Sequence, residues 1–135
     1  MTQIPSDPVA RVLVVDDRPD MCFLVQSMLD LMGVAADVAG DGRKAVEMAT
    51  SETYAVILMD IEMPEMDGLD ATRAIRARRL DHVPIIGMTG HRLEAIHRLG
   101  KMAGMDDLIT KPFQIDALHA KLKAVCGEAL VLDDI

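Results

Sequence analysis

Five residues of one chemical set each follow a short apolar run: Asp16 and Asp17 after Arg11–Val15, Asp60 after Ala55–Met59, Thr89 after Pro84–Met88, and Lys111 after Asp107–Ile109. Three carboxylates held close repel one another, so a proton or a cation must join them. Lys111 offsets one charge and leaves roughly two, a remainder that suits a hard divalent cation with oxygen ligands; Mg²⁺ needs only a few protein carboxylates, completed by water and a phosphoryl oxygen. Carboxylates, an ammonium and a hydroxyl around such an ion suit phosphoryl transfer. The carboxylate can itself be the nucleophile, giving an aspartyl phosphate. Each residue alone has a plainer explanation, since aspartate starts turns by bonding its own backbone. The functional reading rests on finding all five at equivalent places.

Those places are defined by an alternation of strands and helices. Strands are predicted over Arg11–Val15, Val34–Ala39, Ala55–Met59, Pro84–Met88 and Asp107–Ile109. Helices are predicted from Pro19, which suits a first helical turn, to Gly33, and over Gly42–Thr50, Gly68–Arg78, Arg92–Ala103 and Gln114–Val125. The first helix carries Met21, Leu24, Val25, Met28 and Met32 at helical spacing, and the last carries Ile115, Leu118, Leu122 and Val125. Five strand–helix units in 135 residues predict an α/β open doubly wound parallel sheet. In such sheets ligands sit beyond the carboxyl ends of the strands, where all five residues fall.

Composition narrows the function further. Half of the residues are hydrophobic, with no Trp, one Tyr, two Phe and 11 Met, so the core is aliphatic with methionine as filler. A net charge of −8 argues against direct nucleic-acid binding, and Arg76, Arg78 and Arg79, the one dense basic cluster, read as a solvated helix end. Cys22 and Cys126 are too few for a disulfide framework or a zinc site, and His82, His91, His97 and His119 lack metal-ligand spacing. No apolar run is long enough to cross a bilayer and the start lacks the pattern of a signal peptide, so a cytoplasmic protein without membrane insertion is expected. No Gly-x-Gly-x-x-Gly follows the first strand, which removes a dinucleotide site. Ile61, Met63 and Glu65 break the ligand rhythm of a helix-loop-helix calcium site.

The order Asp16-Asp17, Asp60, Thr89, Lys111-Pro112 resembles the receiver domain of bacterial response regulators. The stretches MDIEMPEMDGLDATRAIR and AGMDDLITKPF are similar to receivers attached to hybrid histidine kinases. The resemblance runs from about Arg11 to Val125 and implies the flavodoxin-like (βα)5 fold with strand order 2-1-3-4-5. It implies that Asp60 accepts a phosphoryl group from a histidine kinase or a histidine phosphotransfer protein. Asp17 and Asp60 then hold Mg²⁺ directly, Asp16 helps through water, and the backbone carbonyl of Glu62 adds a ligand. Lys111 pairs with the phosphate, Thr89 bonds it and draws its own loop inward, and the Lys111–Pro112 bond is cis. Glu62 and His91 take the positions that tune water attack on the phosphate. Docking falls on the first helix, with Met21, Leu24 and Val25 as candidates, and on the loop holding Pro112 and Phe113. Such a protein catalyses its own Mg²⁺-dependent phosphorylation and dephosphorylation, and is a switch rather than a dedicated enzyme.

Two positions depart from the family pattern. Leu108 stands where receivers carry Tyr or Phe, which puts the usual readout in doubt, and Gly90 replaces the usual alanine after the switch hydroxyl. A haloacid-dehalogenase-type phosphatase wants a second aspartate two residues after the first, where this chain has Glu62. The remaining alternatives are a receiver-fold adaptor that works without phosphorylation and a module from a hybrid kinase. The expected organisation is a short extension over 1–10, a receiver over 11–126 and a tail over 127–135, with no output domain. A stand-alone receiver acting through a downstream protein partner is the expectation.

Overall fold

Apolar runs without polar interruption are stable as strands when helices cover both faces of their sheet. The computed structural model, which describes residues 10–135, is built this way. The chain runs β1 (Arg11–Val15), α1 (Pro19–Leu31), β2 (Ala35–Ala39), α2 (Gly42–Ser51), β3 (Val56–Asp60), α3 (Gly68–Arg78), β4 (Ile85–Thr89), α4 (Glu94–Ala103), β5 (Asp107–Thr110) and α5 (Ile115–Cys126). All strand pairings are parallel, in the order β2-β1-β3-β4-β5. This is the open doubly wound sheet expected from the alternation, in the flavodoxin-like strand order that the resemblance implies. The first nine residues of the predicted extension lie outside the described range.

Side chains alternate across the sheet because successive Cβ atoms point to opposite faces. Leu13, Val15, Ile57, Met59 and Ile85 enter one core beneath α2 and α3, with Ala45, Val46, Ala71 and Ile75. Val12, Val14, Leu58, Ile86 and Met88 enter the other, with Val25 and Leu29 of α1 and Leu118 and Leu122 of α5. Both cores are aliphatic, and each fully buried Leu, Ile or Met contributes about 1.5–3 kcal/mol. Met32, Met59 and Met88 are completely buried, as methionine filler should be.

Local signals fix several boundaries. Pro19 opens α1. Asp41 and Asp67 cap α2 and α3 by accepting from Lys44 N at 2.7 Å and Asp70 N at 2.8 Å. Gly104 ends α4 in a left-handed conformation, φ 113°. Other ends move by a residue or two. β3 and β4 extend through Asp60 and Thr89, which are the last paired residues rather than the first of their loops: Asp60 pairs with Met88 and Thr89 with Thr110. Each gains that extra step from one neighbour, β4 for Asp60 and β5 for Thr89. α4 begins at Glu94 rather than Arg92, with Leu93 at the N-cap in extended conformation.

The arginine cluster is not a solvated helix end. Arg76 donates to the carbonyls of Val83 and Gly104 and to Asp106 Oδ2, tying α3 to the approaches of β4 and β5. Arg79 donates to the carbonyls of Ala49 and Glu52 and pairs with Asp81. Only Arg78 is freely exposed. The predicted tail also packs back: Leu130 is buried in the α1/α5 core, and Asp133 N donates to Met32 O at 2.9 Å. No helix of the described residues is long and apolar enough to cross a membrane.

Candidate functional site

Strand order reverses direction on either side of β1, and a crevice opens there at the carboxyl ends of β1 and β3. The aspartates after β1 and at the end of β3 fall at this point. Asp16 and Asp60 are 1% and 2% exposed, while Asp17 is open to solvent. One carboxylate oxygen from each of Asp16, Asp17 and Asp60 lies within 4.8 Å of the others.

Lys111 arrives from β5 across the full width of the β3–β5 half-sheet. Its Nζ donates to Asp16 Oδ2 and to Asp60 Oδ1, both at 3.0 Å. Its backbone N donates to Thr89 O at 2.7 Å, so the loop after β5 is registered against the end of β4. Burial is the main cause that drives the Asp60 carboxyl up; Lys111 pulls it back, and the Asp16 and Glu62 charges add to the rise, leaving it at about 6. Burial pulls the Lys111 ammonium down, but Asp60 and Asp16 outweigh it and hold it above the ordinary lysine value. The ammonium therefore stays charged. Asp16 Oδ1 accepts from Arg18 N at 3.0 Å, which fixes the carboxylate's orientation.

Three carboxylates against one ammonium leave a net deficit of positive charge in a half-buried site. That donor set, all hard oxygen, fits a divalent cation such as Mg²⁺. The Lys111–Pro112 peptide is cis, as expected.

Thr89 is fully buried at the end of β4. Its hydroxyl donates to Glu62 Oε2 at 3.0 Å and accepts from His91 N at 3.1 Å. Gly90 N donates to Glu62 Oε1 at 3.1 Å. Glu62, expected to contribute its backbone carbonyl and to flank the phosphate, thus spends its side chain on the loop after β4. His91 contributes its backbone N–H, and its ring is exposed. Sequence reasoning did not find the Glu62 contact. The signal was an acid two residues after Asp60, but its donors come from another strand.

Gly68 is a second residue of the site whose role only the structure shows. Its N–H donates to Ile61 O at 2.9 Å, and a Cβ there would collide with the Asp60 carbonyl. A side chain at this position would push α3 off the end of β3. Leu108 is buried, 2% exposed, against Gly87 and Gly100. Beside the acidic cluster lies a cavity of about 520 Å³ whose apolar wall is Met21, Leu24, Pro112 and Phe113. Val25, the third docking candidate on α1, is buried in the core and is not part of that wall.

The family model for the response regulator receiver domain matches residues 12–123. The sensor protein GacS of Pseudomonas syringae pv. syringae is 40% identical over 111 residues, which cover 79% of this chain and 12% of that protein. The chain therefore spans about an eighth of such a relative's length. The receiver domain of sensor histidine kinase PA1611 from Pseudomonas aeruginosa, solved with a magnesium ion coordinated in the active site cleft, superposes with a TM-score of 0.82. It is 35% identical, with 89% of this chain and 99% of that one covered. A chain from the co-crystal of the Saccharomyces cerevisiae histidine phosphotransfer signaling protein Ypd1 with the receiver domain of its downstream response regulator Ssk1 matches with a TM-score of 0.80. There the identity is 26%, covering 92% of this chain and 94% of that one.

Proposed function

The chain belongs to the response regulator receiver family, and on that premise we propose that it is a phospho-accepting switch whose Asp60 takes a phosphoryl group from a phosphohistidine. The donor is a histidine kinase or a histidine phosphotransfer protein, and the phosphorylated state is read by a further protein partner. The observation that carries this reading is the bridge from Lys111 Nζ to both Asp16 and Asp60, which leaves Asp60 buried, ionisable and facing a cavity. A degenerate receiver acting only as an adaptor would have no use for the complete set.

In this mechanism an Asp60 carboxylate oxygen attacks phosphorus in line with the phosphorus–nitrogen bond. That bond breaks and its electron pair stays on the departing imidazole. Lys111 occupies Oδ1, and among the described residues nothing donates to Oδ2, so Oδ2 is the free nucleophilic oxygen. The Lys111 ammonium offsets charge on the transferred group. Thr89 Oγ1–H and Gly90 N–H, which donate to Glu62 in this structure, are the further donors beside the site. Mg²⁺ would be held by Asp17, Asp60 and the Glu62 carbonyl, with Asp16 helping through water, and its charge would make the approach of an anionic phosphoryl group tolerable among three carboxylates.

Labelling tests this reading. The protein, incubated with ³²P-labelled phosphotransfer proteins and Mg²⁺, acquires label that hydroxylamine removes. Absence of label with every donor and with acetyl phosphate would leave the adaptor reading in its place.

A further inference from the structure

Thr89 and Gly90 are consecutive donors at the end of β4, and both already hold an anion. The two oxygens of one carboxylate, Glu62, accept from Thr89 Oγ1 at 3.0 Å and from Gly90 N at 3.1 Å. The arrangement is two-pronged and locked from behind, because His91 N donates to the same Thr89 hydroxyl at 3.1 Å. The hydroxyl carries one proton, and that proton is committed to Glu62. Glu62 itself is exposed, so nothing in the core forces its carboxylate onto these donors. Glu62, Gly90, Asp60 and Lys111 all line the cavity beside the acidic cluster.

We propose that the Glu62 carboxylate is a resident anion that occupies the Thr89 and Gly90 donors in the unphosphorylated chain and must leave them when a phosphoryl group arrives on Asp60. The inference rests on Asp60 being the acceptor. Carboxylate and phosphoryl oxygens are alike as acceptors of charge-assisted hydrogen bonds, and one hydroxyl proton and one amide proton cannot serve both. Glu62 therefore competes with the phosphoryl group within the molecule. It also holds the loop after β4 closed on the site before any phosphorylation, in a chain whose Gly90 would otherwise leave that loop pliant. The competition sets how tightly the phosphorylated conformation is held.

Beryllofluoride with Mg²⁺, which mimics a phosphoryl group on aspartate, tests this with three proteins: wild type, Glu62→Ala and Glu62→Asp. The Asp variant keeps the charge but is one methylene too short to reach both donors. Both variants are expected to bind the mimic roughly five- to tenfold tighter than wild type, the scale of one or two lost competing hydrogen bonds. Before the mimic is added, the Gly90 amide proton is expected to move upfield in both, because a bond to a carboxylate has gone. If Glu62→Asp binds like wild type while Glu62→Ala binds more tightly, charge repulsion alone is at work and the competition is overturned. Equal affinity in all three overturns it too and leaves Asp60 as acceptor untouched. Failure of the wild type to bind the mimic at all removes the acceptor assignment, and the competition with it.

Discussion

Leu108 occupies the space that a side chain at Gly100 would need: a Cβ built on Gly100 would stand 3.0 and 3.1 Å from the two Leu108 methyls. Gly87 on β4 closes the same space from below, with Leu108 3.3 Å from its virtual Cβ. Leu108 is therefore wedged between a strand and a helix that both lack side chains at the contact. The inward place is filled by Leu108 itself, and an aliphatic side chain has no polar partner to gain by leaving it.

Activation is then expected to leave Leu108 where it is. On addition of beryllofluoride and Mg²⁺, backbone signals from Gly87 to Arg92 shift strongly and the Leu108 methyl signals weakly. Leu108→Tyr overpacks the site and costs about 1–3 kcal/mol of stability, measured by urea unfolding, while labelling of Asp60 persists. A Leu108 rotamer change as large as the loop movement would refute this decoupling.

Asp60→Asn abolishes labelling by acetyl phosphate and by a phosphorylated kinase, with the fold intact by circular dichroism. EDTA stops labelling of the wild type for the reason given by the charge count in the site. Label that persists on Asp60→Asn at a hydroxylamine-stable linkage would assign the chemistry elsewhere.

The same substitution changes stability with pH in a direction the site dictates. The folded-state value of the Asp60 carboxyl is about 6 against an ordinary 3.8. Its protonated form is favoured by the fold, so its contribution is fully present below pH 3.8 and is lost as pH rises through 6. Without divalent ions at pH 8, Asp60→Asn is therefore more stable than wild type by about 1–2 kcal/mol, below the roughly 3 kcal/mol that the full offset represents. The difference closes as pH falls below 4. Thermal unfolding in EDTA at pH 8, 6 and 4 reads it, and a constant difference would show that ionisation of Asp60 is not its source.

Met21 is half-buried on the wall of the cavity, one turn from Asp17, in a place a partner helix can reach. Met21→Glu slows transfer from a phosphorylated kinase or phosphotransfer protein at least tenfold, the scale of about 1.4 kcal/mol, and leaves labelling by acetyl phosphate unchanged. Equal slowing of both reactions would make Met21 a folding residue.

Arg76→Met removes the donors to Gly104 O, Val83 O and Asp106 while keeping the aliphatic stem. The half-buried acceptors left behind cost about 2–4 kcal/mol, read as a lower urea midpoint, with Asp60 still labelled. A change within half a kcal/mol would return Arg76 to the solvated helix end that composition suggests.

Much of this protein was legible in the sequence because its signals are local. Uninterrupted runs such as Val12–Val15 and Val56–Met59 demand cover on two faces, and Pro19, Asp67 and Gly104 punctuate the helices between them. Alternation then forces parallel pairing, and parallel pairing brings Asp16, Asp17, Asp60, Thr89 and Lys111 to one rim. What tertiary structure decided are matters of distance between elements far apart in sequence. Sequence gives Glu62 as an acid near the acceptor, but its partners lie at Thr89 and Gly90, across the β3–β4 ladder. Arg76, in the last turn of α3, looks solvated until the approaches of β4 and β5 bring the carbonyls of Val83 and Gly104 within its reach. Leu108 is only an unexpected aliphatic until Gly87 and Gly100 close on it. Periodicity reports which face a residue takes. Which atoms meet there depends on how strands and helices pack, and that is fixed only when the whole chain closes around its two cores.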